Sequence, residues 1–332
     1  MENIPKIDFV VPWVDGSDPA WLKKKAKYTG EESNEGSNKS RYRDWETLKY
    51  WFRGVEKFAP FVNNVYFITD DQKPEWLNLD HPKLKWVKHT DFIPDEYLPT
   101  FSSDTIEWNL HRIESLGDNF VYFNDDVFLI NKTSPDDFFK NGLPCDFPSV
   151  GILYAQGIYS NMMFNNMELL NRNFSLKTSI KTNLSKWFKG QSISAILKIL
   201  LYGRKHVIPF MESWHIQISY KKEMFAKVIQ KESEAVHLTC LNKIRTRQNI
   251  TSWVVRNWQI LSGEFYSKKP IGKLFHTASM SVNNQAIEYL RKQKGKVICL
   301  NDTEDETDFE AHKQAIISEF EKIFPEKSSF EI

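Results

Sequence analysis

Cysteine is scarce in this chain, with Cys145, Cys240 and Cys299 its only thiols. Their number is odd and their spacing matches no metal-ligand pattern, which argues against a disulfide framework or a structural zinc site and for a reducing compartment. Net charge is nearly absent too: 44 Lys and Arg against 43 Asp and Glu leave +1. That gives no reason to expect a global polyanion partner, nucleic acid included, so any phosphate recognition must be local. No run approaches the roughly 20 apolar residues that span a bilayer. The opening MENIPKIDFVVPWV sets an acidic residue before a short apolar run that soon meets Asp15, which is not the pattern of a signal peptide. A soluble, cytoplasmic chain is expected, unless it rests on a membrane surface.

What the chain does have is length and aromatic surface. At 332 residues it exceeds the usual single domain, yet α/β enzymes reach this size as one core with insertions. Residues 1–332 are therefore read as one α/β catalytic domain. Aromatics make up 14% and include 11 Trp; such rings fill cores and stack on sugars or bases, and composition does not separate these uses.

Apolar periodicity orders the first half. Residues 7–14 read as a central strand ending at Asp15-Gly16-Ser17-Asp18-Pro19, 41–58 as a helix with Leu48, Trp51, Phe52 and Val55 on its apolar face, 64–69 as a second buried strand and 84–88 as a third. Residues 23–40 are polar with little periodicity and are expected to form a loop insert. A helix is expected from Ser102 or Ser103, followed by a buried strand at 120–123. The order strand, helix, strand, strand, helix, strand points to a mainly parallel sheet.

The chemistry concentrates in 100–129. On the helix, Ile106, Leu110 and Ile113 form an apolar stripe flanked by Glu107, His111 and Glu114 on one side and by Trp108 and Arg112 on the other. The strand delivers Asn124-Asp125-Asp126 to its carboxyl end, where open α/β sheets bind ligands. Adjacent carboxylates repel unless a cation lies between them, and an oxygen-only cluster suits Mg²⁺ or Mn²⁺. The plain alternative is an Asx-type turn with both carboxylates solvated.

Later features are less regular. A strand is read at 149–154, helices at 161–170, 221–231, 251–262 and 309–324, and a strand at 295–300. Residues 172–205 carry Arg172, Lys177, Lys181, Lys186, Lys189, Lys198, Arg204 and Lys205 with no acidic residue, around an apolar face of Ile193, Ile196, Leu197, Leu200 and Leu201. Such a segment either folds over the site as a lid or docks on a membrane or acceptor. His215 sits in an aromatic setting, and Arg245 and Arg247 supply planar guanidinium groups suited to phosphate oxygens.

Four separated stretches are similar to the Stealth family: IDFVVPWVDGSD at 7–18; RYRDWETLKYWFRGVEKFAPFVNNVYFITDDQKPEWL through NDDVFL over 41–129; the segment from His215 to RTRQN at 245–249; and CLNDTEDE with FPEKSSFE near the C-terminus. The resemblance implies a metal-dependent enzyme with a Rossmann-like, GT-A-like nucleotide-sugar transferase core and helical insertions. It implies transfer of a hexose-1-phosphate or N-acetylhexosamine-1-phosphate from a UDP-sugar to a hydroxyl of a cell-surface polysaccharide or its precursor, with UMP released. Carried over by position, Glu107, Arg112, His215 and Arg245 are the catalytic candidates, and Asp125 and Asp126 the ligands of Mg²⁺ or Mn²⁺. Asp15, Gly16, Asp18, Arg43 and Asp44 are the donor-binding candidates. The implied partners are the UDP-sugar and an oligo- or polysaccharide acceptor, free or lipid-linked; peripheral contact at the inner face of the plasma membrane is the expectation that the basic segment 172–205 adds. Gln248 and Asn249 stand where many members have an acidic residue. The competing readings are a metal-dependent glycosyltransferase that releases UDP and a non-catalytic carbohydrate-binding module.

Overall fold

The computed structural model describes residues 6–29, 43–155, 157–277, 280–302 and 309–332. In chain order, β1 (Asp8–Pro12), α1 (Pro19–Thr29), α2 (Leu48–Phe58), β2 (Val65–Thr69), β3 (Leu84–Lys88), α3 (Ser103–Asn109), β4 (Asn119–Tyr122) and β5 (Val127–Leu129) make the first half. Two short strands, β6 (Phe139–Lys140) and β7 (Leu143–Asp146), precede a helical block of α4 (Gly157–Asn173), α5 (Leu176–Thr182), α6 (Leu184–Phe188) and α7 (Ile193–Tyr202). The chain returns through β8 (Ile218–Lys221), α8 (Lys222–Leu241), α9 (Trp253–Ser262) and β9 (Tyr266–Ser267). It continues with β10 (Gly272–His276), α10 (Met280–Arg291), β11 (Val297–Asn301) and α11 (Phe309–Ile323).

The central sheet has five strands in the order β3-β2-β1-β4-β8. The first four are parallel, and β8 closes the edge antiparallel to β4. This is the mainly parallel α/β core with helical insertions that the sequence predicts. Its strands read as unbroken apolar runs because both faces are covered. Val10, Tyr66, Ile68, Phe120 and Tyr122 pack beneath α3, α4, α8 and α9. Phe9, Val11, Val65, Phe67, Val121 and Phe123 point the other way, against α2, β5 and α11, as the two-residue strand repeat requires. A second sheet, β10-β11-β5, hangs from the end of β4 and is parallel between β10 and β11 only.

Several boundaries differ from expectation. Residues 23–29 lie in α1, not in a loop, because buried Trp21 and Lys25 seat its inner face, with the Lys25 ammonium 5.4 Å from the indole; residues 30–40 of that expected insert lie outside the described residues. The helix read over 41–58 begins only at Leu48. At 149–154 there is a single bridge, Val150 to Met211, and no strand. The helix after Ser102 ends at Asn109 and tightens into a 3₁₀ turn, Leu110–Arg112, so Glu114 falls outside it.

Candidate active site

The carboxyl edge of the central sheet gathers most of the expected chemistry. Asp15 and Asp18 lie beyond β1, and the Asn124-Asp125-Asp126 turn follows β4. That turn is pinned between the two sheets. The Val127 N–H donates to the Asn124 carbonyl at 3.1 Å, and the Leu300 N–H donates to the Asp126 carbonyl at 2.9 Å.

Asp126 is the focus. Its Oδ1 is buried without a hydrogen-bond partner among the described residues, and the Cys299 thiol donates to its carboxylate. Burial raises the Asp126 carboxyl above its usual range, and the neighbouring His215 opposes that rise. Ligand atoms of Asp126, His215 and Cys299 lie within 4.8 Å of one another. Burial, and then the Asp126 charge, hold Cys299 as a neutral thiol far from ionisation. The carboxylate and the imidazole are thus the two donors ready to coordinate, and the thiol steadies the carboxylate from behind.

Asp125 opens toward solvent beside that triad. Desolvation within the recess, and then the charges of Asp126 and Asp44, push its carboxyl up to about 7. Two raised carboxyls and a buried, unpartnered carboxylate oxygen are what a divalent cation would relieve. The residues therefore fit such an ion. Carboxylate oxygen suits Mg²⁺, and an imidazole beside it suits Mn²⁺ equally well.

His215 holds a φ of 46°, a left-handed conformation that costs a side-chain-bearing residue on the order of 1–3 kcal/mol and tends to occur at functional sites. Glu46 and Asp71 share it, at φ 55° and 65°, in loops near the same edge. The His215 ring meets Trp253 edge-on at 5.8 Å. Burial lowers its pKa below the ordinary value; Asp126 opposes this, and Arg245 and His276 reinforce it. The imidazole is accordingly neutral at neutral pH.

Arg245 approaches from the loop between α8 and α9. It donates to the Ser103 hydroxyl and lies 3.6 Å from the Asp104 carboxylate. Buried Trp108, which donates to the Ile250 carbonyl at 3.0 Å, fixes α3 against this loop; a fully buried side chain of this size contributes roughly 1.5–3 kcal/mol. Glu107, also buried, accepts from the Tyr122 hydroxyl at 3.1 Å and from the Ser252 hydroxyl. Burial and Asp104 raise its pKa, against Ser252 and Arg245. Glu107 thus joins α3, β4 and α9 directly under the Asp-Asp turn. Asn249 explains one departure from the family pattern: its amide donates to Asp104 at 3.1 Å and its carbonyl accepts from Asn242 and Thr246, each at 2.8 Å. A carboxylate there would repel Asp104.

The donor-binding candidates divide. Asp15 accepts from the Ser17 N–H at 2.8 Å and the Ser17 hydroxyl at 2.6 Å, shaping the turn through Gly16. Asp18 caps α1 through the Ala20 N–H at 2.8 Å and accepts from Gln72 at 2.9 Å. Arg43 grips Asp302 through two bonds of 2.8 and 2.7 Å, and Asp302 in turn acts on Asp126. Asp44, its carboxyl raised by burial, faces Asp15 and Asp125. Arg112 is placed elsewhere. Its side chain is exposed, its charge acts on His111, Tyr97 and Cys240, and it precedes the amino end of β4, away from the Asp-Asp turn.

Three neighbours of the site were not expected: Cys299, His276 and Asp302. All come from the second sheet or the residue just past it. Cys299 and Asp302 belong to the CLNDTEDE stretch, of which 303–306 lie outside the described residues, whereas His276 lies in β10 and has no sequence signal.

The chain matches the models of three conserved regions of Stealth proteins, region 1 over residues 5–33, region 2 over 41–145 and region 4 over 288–332. It is 40% identical to a capsular polysaccharide phosphotransferase, WcwK, of Streptococcus pneumoniae, covering 100% of this chain and 99% of that one. It is 39% identical to a receptor polysaccharide phosphotransferase, WefC, of Streptococcus oralis (98% and 99%). Against an exopolysaccharide phosphotransferase, cps2G, of Lactiplantibacillus plantarum, identity is 35% (98% and 96%). Among solved structures, the glycosyltransferase GlyE of S. pneumoniae superposes with a TM-score of 0.42 at 8% identity, over 97% of this chain and 63% of that one, too loosely to argue from.

Proposed function

Since this chain belongs to the Stealth family, we propose that it transfers a hexose-1-phosphate or N-acetylhexosamine-1-phosphate from a UDP-sugar to a hydroxyl of a cell-surface polysaccharide or its precursor, releasing UMP. The coarser activity, sugar phosphotransfer, follows from its relatives. The observation that carries the finer reading is the convergence of Asp126, His215, Arg245 and Glu107 beside the turn of Asp15 and Gly16 at one sheet edge. Residues 1–332 act as one catalytic unit in this reading.

In the step itself, the acceptor oxygen bonds to the β-phosphorus, the bridging P–O bond breaks, and its electron pair leaves on the α-phosphate of UMP. The protein mainly positions the reactants and neutralises charge. Asp126, with Asp125 beside it, would hold the divalent cation, Mg²⁺ or Mn²⁺, which when bound neutralises the diphosphate. His215, neutral at working pH, takes the acceptor proton, a role worth typically 10²–10⁴-fold. Arg245 offers its guanidinium to phosphate oxygen. Glu107 sets the position of α3 and faces Arg245, and the edge formed by Asp15, Gly16, Asp18, Arg43 and Asp44 receives the nucleotide. A second reading of His215, favoured by its place within 4.8 Å of Asp126, makes it the third ligand of the metal. The acceptor in this proposal is an oligo- or polysaccharide, free or carried on a lipid at the inner face of the plasma membrane.

The test is a panel of UDP-sugars with Mg²⁺, scored for nucleotide product with and without candidate acceptors. UMP formation that depends on the acceptor supports the proposal. UDP in place of UMP overturns it in favour of a glycosyltransferase, and sugar binding without turnover that survives Asp125→Asn and needs no metal would identify a carbohydrate-binding module.

A further inference from the structure

The block from α5 to α7 takes no part in the site described above, and α7 presents an unusual surface. Ile193, Leu197, Leu200 and Leu201 fall on one side of this helix, at i, i+4, i+7 and i+8, and are 80%, 62%, 50% and 61% exposed. A soluble helix normally turns such a stripe to the core. Here the opposite side does the packing: Ile199 is buried, and Ser192, Ala195, Lys198 and Ile199 line a cavity of about 190 Å³ whose far wall includes Glu212 and Trp214, the neighbour of His215.

Charge selects what covers the outer side. Between Glu168 and Glu212 the chain has no acidic residue, and exposed Arg204 and Lys205 follow the apolar stripe directly at the end of α7. A second copy of this chain would set those cations against each other. An anionic surface would attract all of them, and an apolar stripe with a basic rim is the signature of a helix lying in a bilayer interface. At ten residues, or about 15 Å of length, α7 is far too short to cross, and no described helix is long and apolar enough to do so.

We propose that α7 docks the protein on an anionic lipid bilayer, with its stripe among the acyl chains and Arg204 and Lys205 at the headgroups. This places the cavity behind α7 between the lipid surface and the loop of His215, open to a chain that arrives from the membrane. The docking stands on the surface alone and does not depend on the reaction.

The full chain is sedimented with vesicles of phosphatidylcholine alone and of phosphatidylcholine mixed equally with phosphatidylglycerol. Binding to the mixed vesicles, weakened by salt and weak on the neutral ones, is expected. Arg204→Gln with Lys205→Gln should lower affinity roughly thirtyfold, and Leu197→Ser with Leu201→Ser should abolish binding, with circular dichroism unchanged because these side chains are exposed. Absence of binding by the unaltered chain, or equal binding to both vesicle types, overturns the proposal. So does a dimer in solution that the leucine variants dissolve while no vesicle is bound, which would identify a second copy as the occupant.

Discussion

Replacing His215 tests the division of labour at the site. His215→Ala removes the imidazole facing Asp126 and leaves Arg245, Glu107 and the Asp-Asp turn in place. Because burial, Arg245 and His276 lower its pKa from 6.5, the ring is already in its proton-accepting form at pH 7, so the full contribution of the base is lost there and again at pH 8. A positioned base supplies about 10²–10⁴ in rate, or about 3–5 kcal/mol of barrier. UMP release at saturating donor and acceptor should fall by that factor. Affinities for UDP and for Mn²⁺, followed by calorimetry, should stay within about threefold. His215→Asn controls for the backbone, since asparagine tolerates the positive φ better than alanine. Turnover within threefold of the unaltered enzyme would refute the role of base, and a tenfold loss of Mn²⁺ affinity would make His215 a metal ligand.

Three further outcomes concern stability. Arg256 donates to Asp146 through bonds of 2.8 and 2.7 Å with its side chain 3% exposed; Arg256→Met strands that carboxylate and should cost about 3–5 kcal/mol in urea unfolding, with a loss below about 1 kcal/mol refuting the argument. Burial lowers His89 to about 4. The unfolded chain therefore takes up the proton first, so stability is fully present above pH 6.5 and declines as pH falls from there through 4, by up to about 3 kcal/mol; His89→Gln should show a visibly smaller decline between those pH values. A Cβ at Gly54 would lie 2.8 Å from the Leu129 carbonyl oxygen. Helix propensity alone favours Gly54→Ala by about 1 kcal/mol, so a net loss of stability measures the contact of α2 with β5, and a net gain contradicts it.

The central strands were legible because burial on both faces leaves continuous apolar runs, and β3 matches its expected bounds at 84–88. Tertiary context decided the rest. The apolar run at 149–154 lacks a partner beyond one bridge, and the polar stretch at 23–29 is helical because buried Trp21 and Lys25, with Lys24 paired to Asp70 and Tyr28 packed on Phe101, anchor it. The tightening of α3 into a 3₁₀ turn after Asn109 is not foretold by the apolar periodicity, which runs on through Leu110 and Ile113. Cys299 meets Asp126 because β11 pairs with β5, a contact across the chain that local spacing cannot reveal. The catalytic roles of His215 and Glu107 come from the family resemblance, whereas Arg245 is already marked for phosphate by its guanidinium; the geometry brings the three together.

The claim of phosphotransfer is tested most directly with donor labelled at the β-phosphorus. Incubated with acceptor and Mg²⁺, the enzyme should release unlabelled UMP and leave the label in the saccharide as a phosphodiester. Label recovered in UDP, with none in the saccharide, would contradict the account.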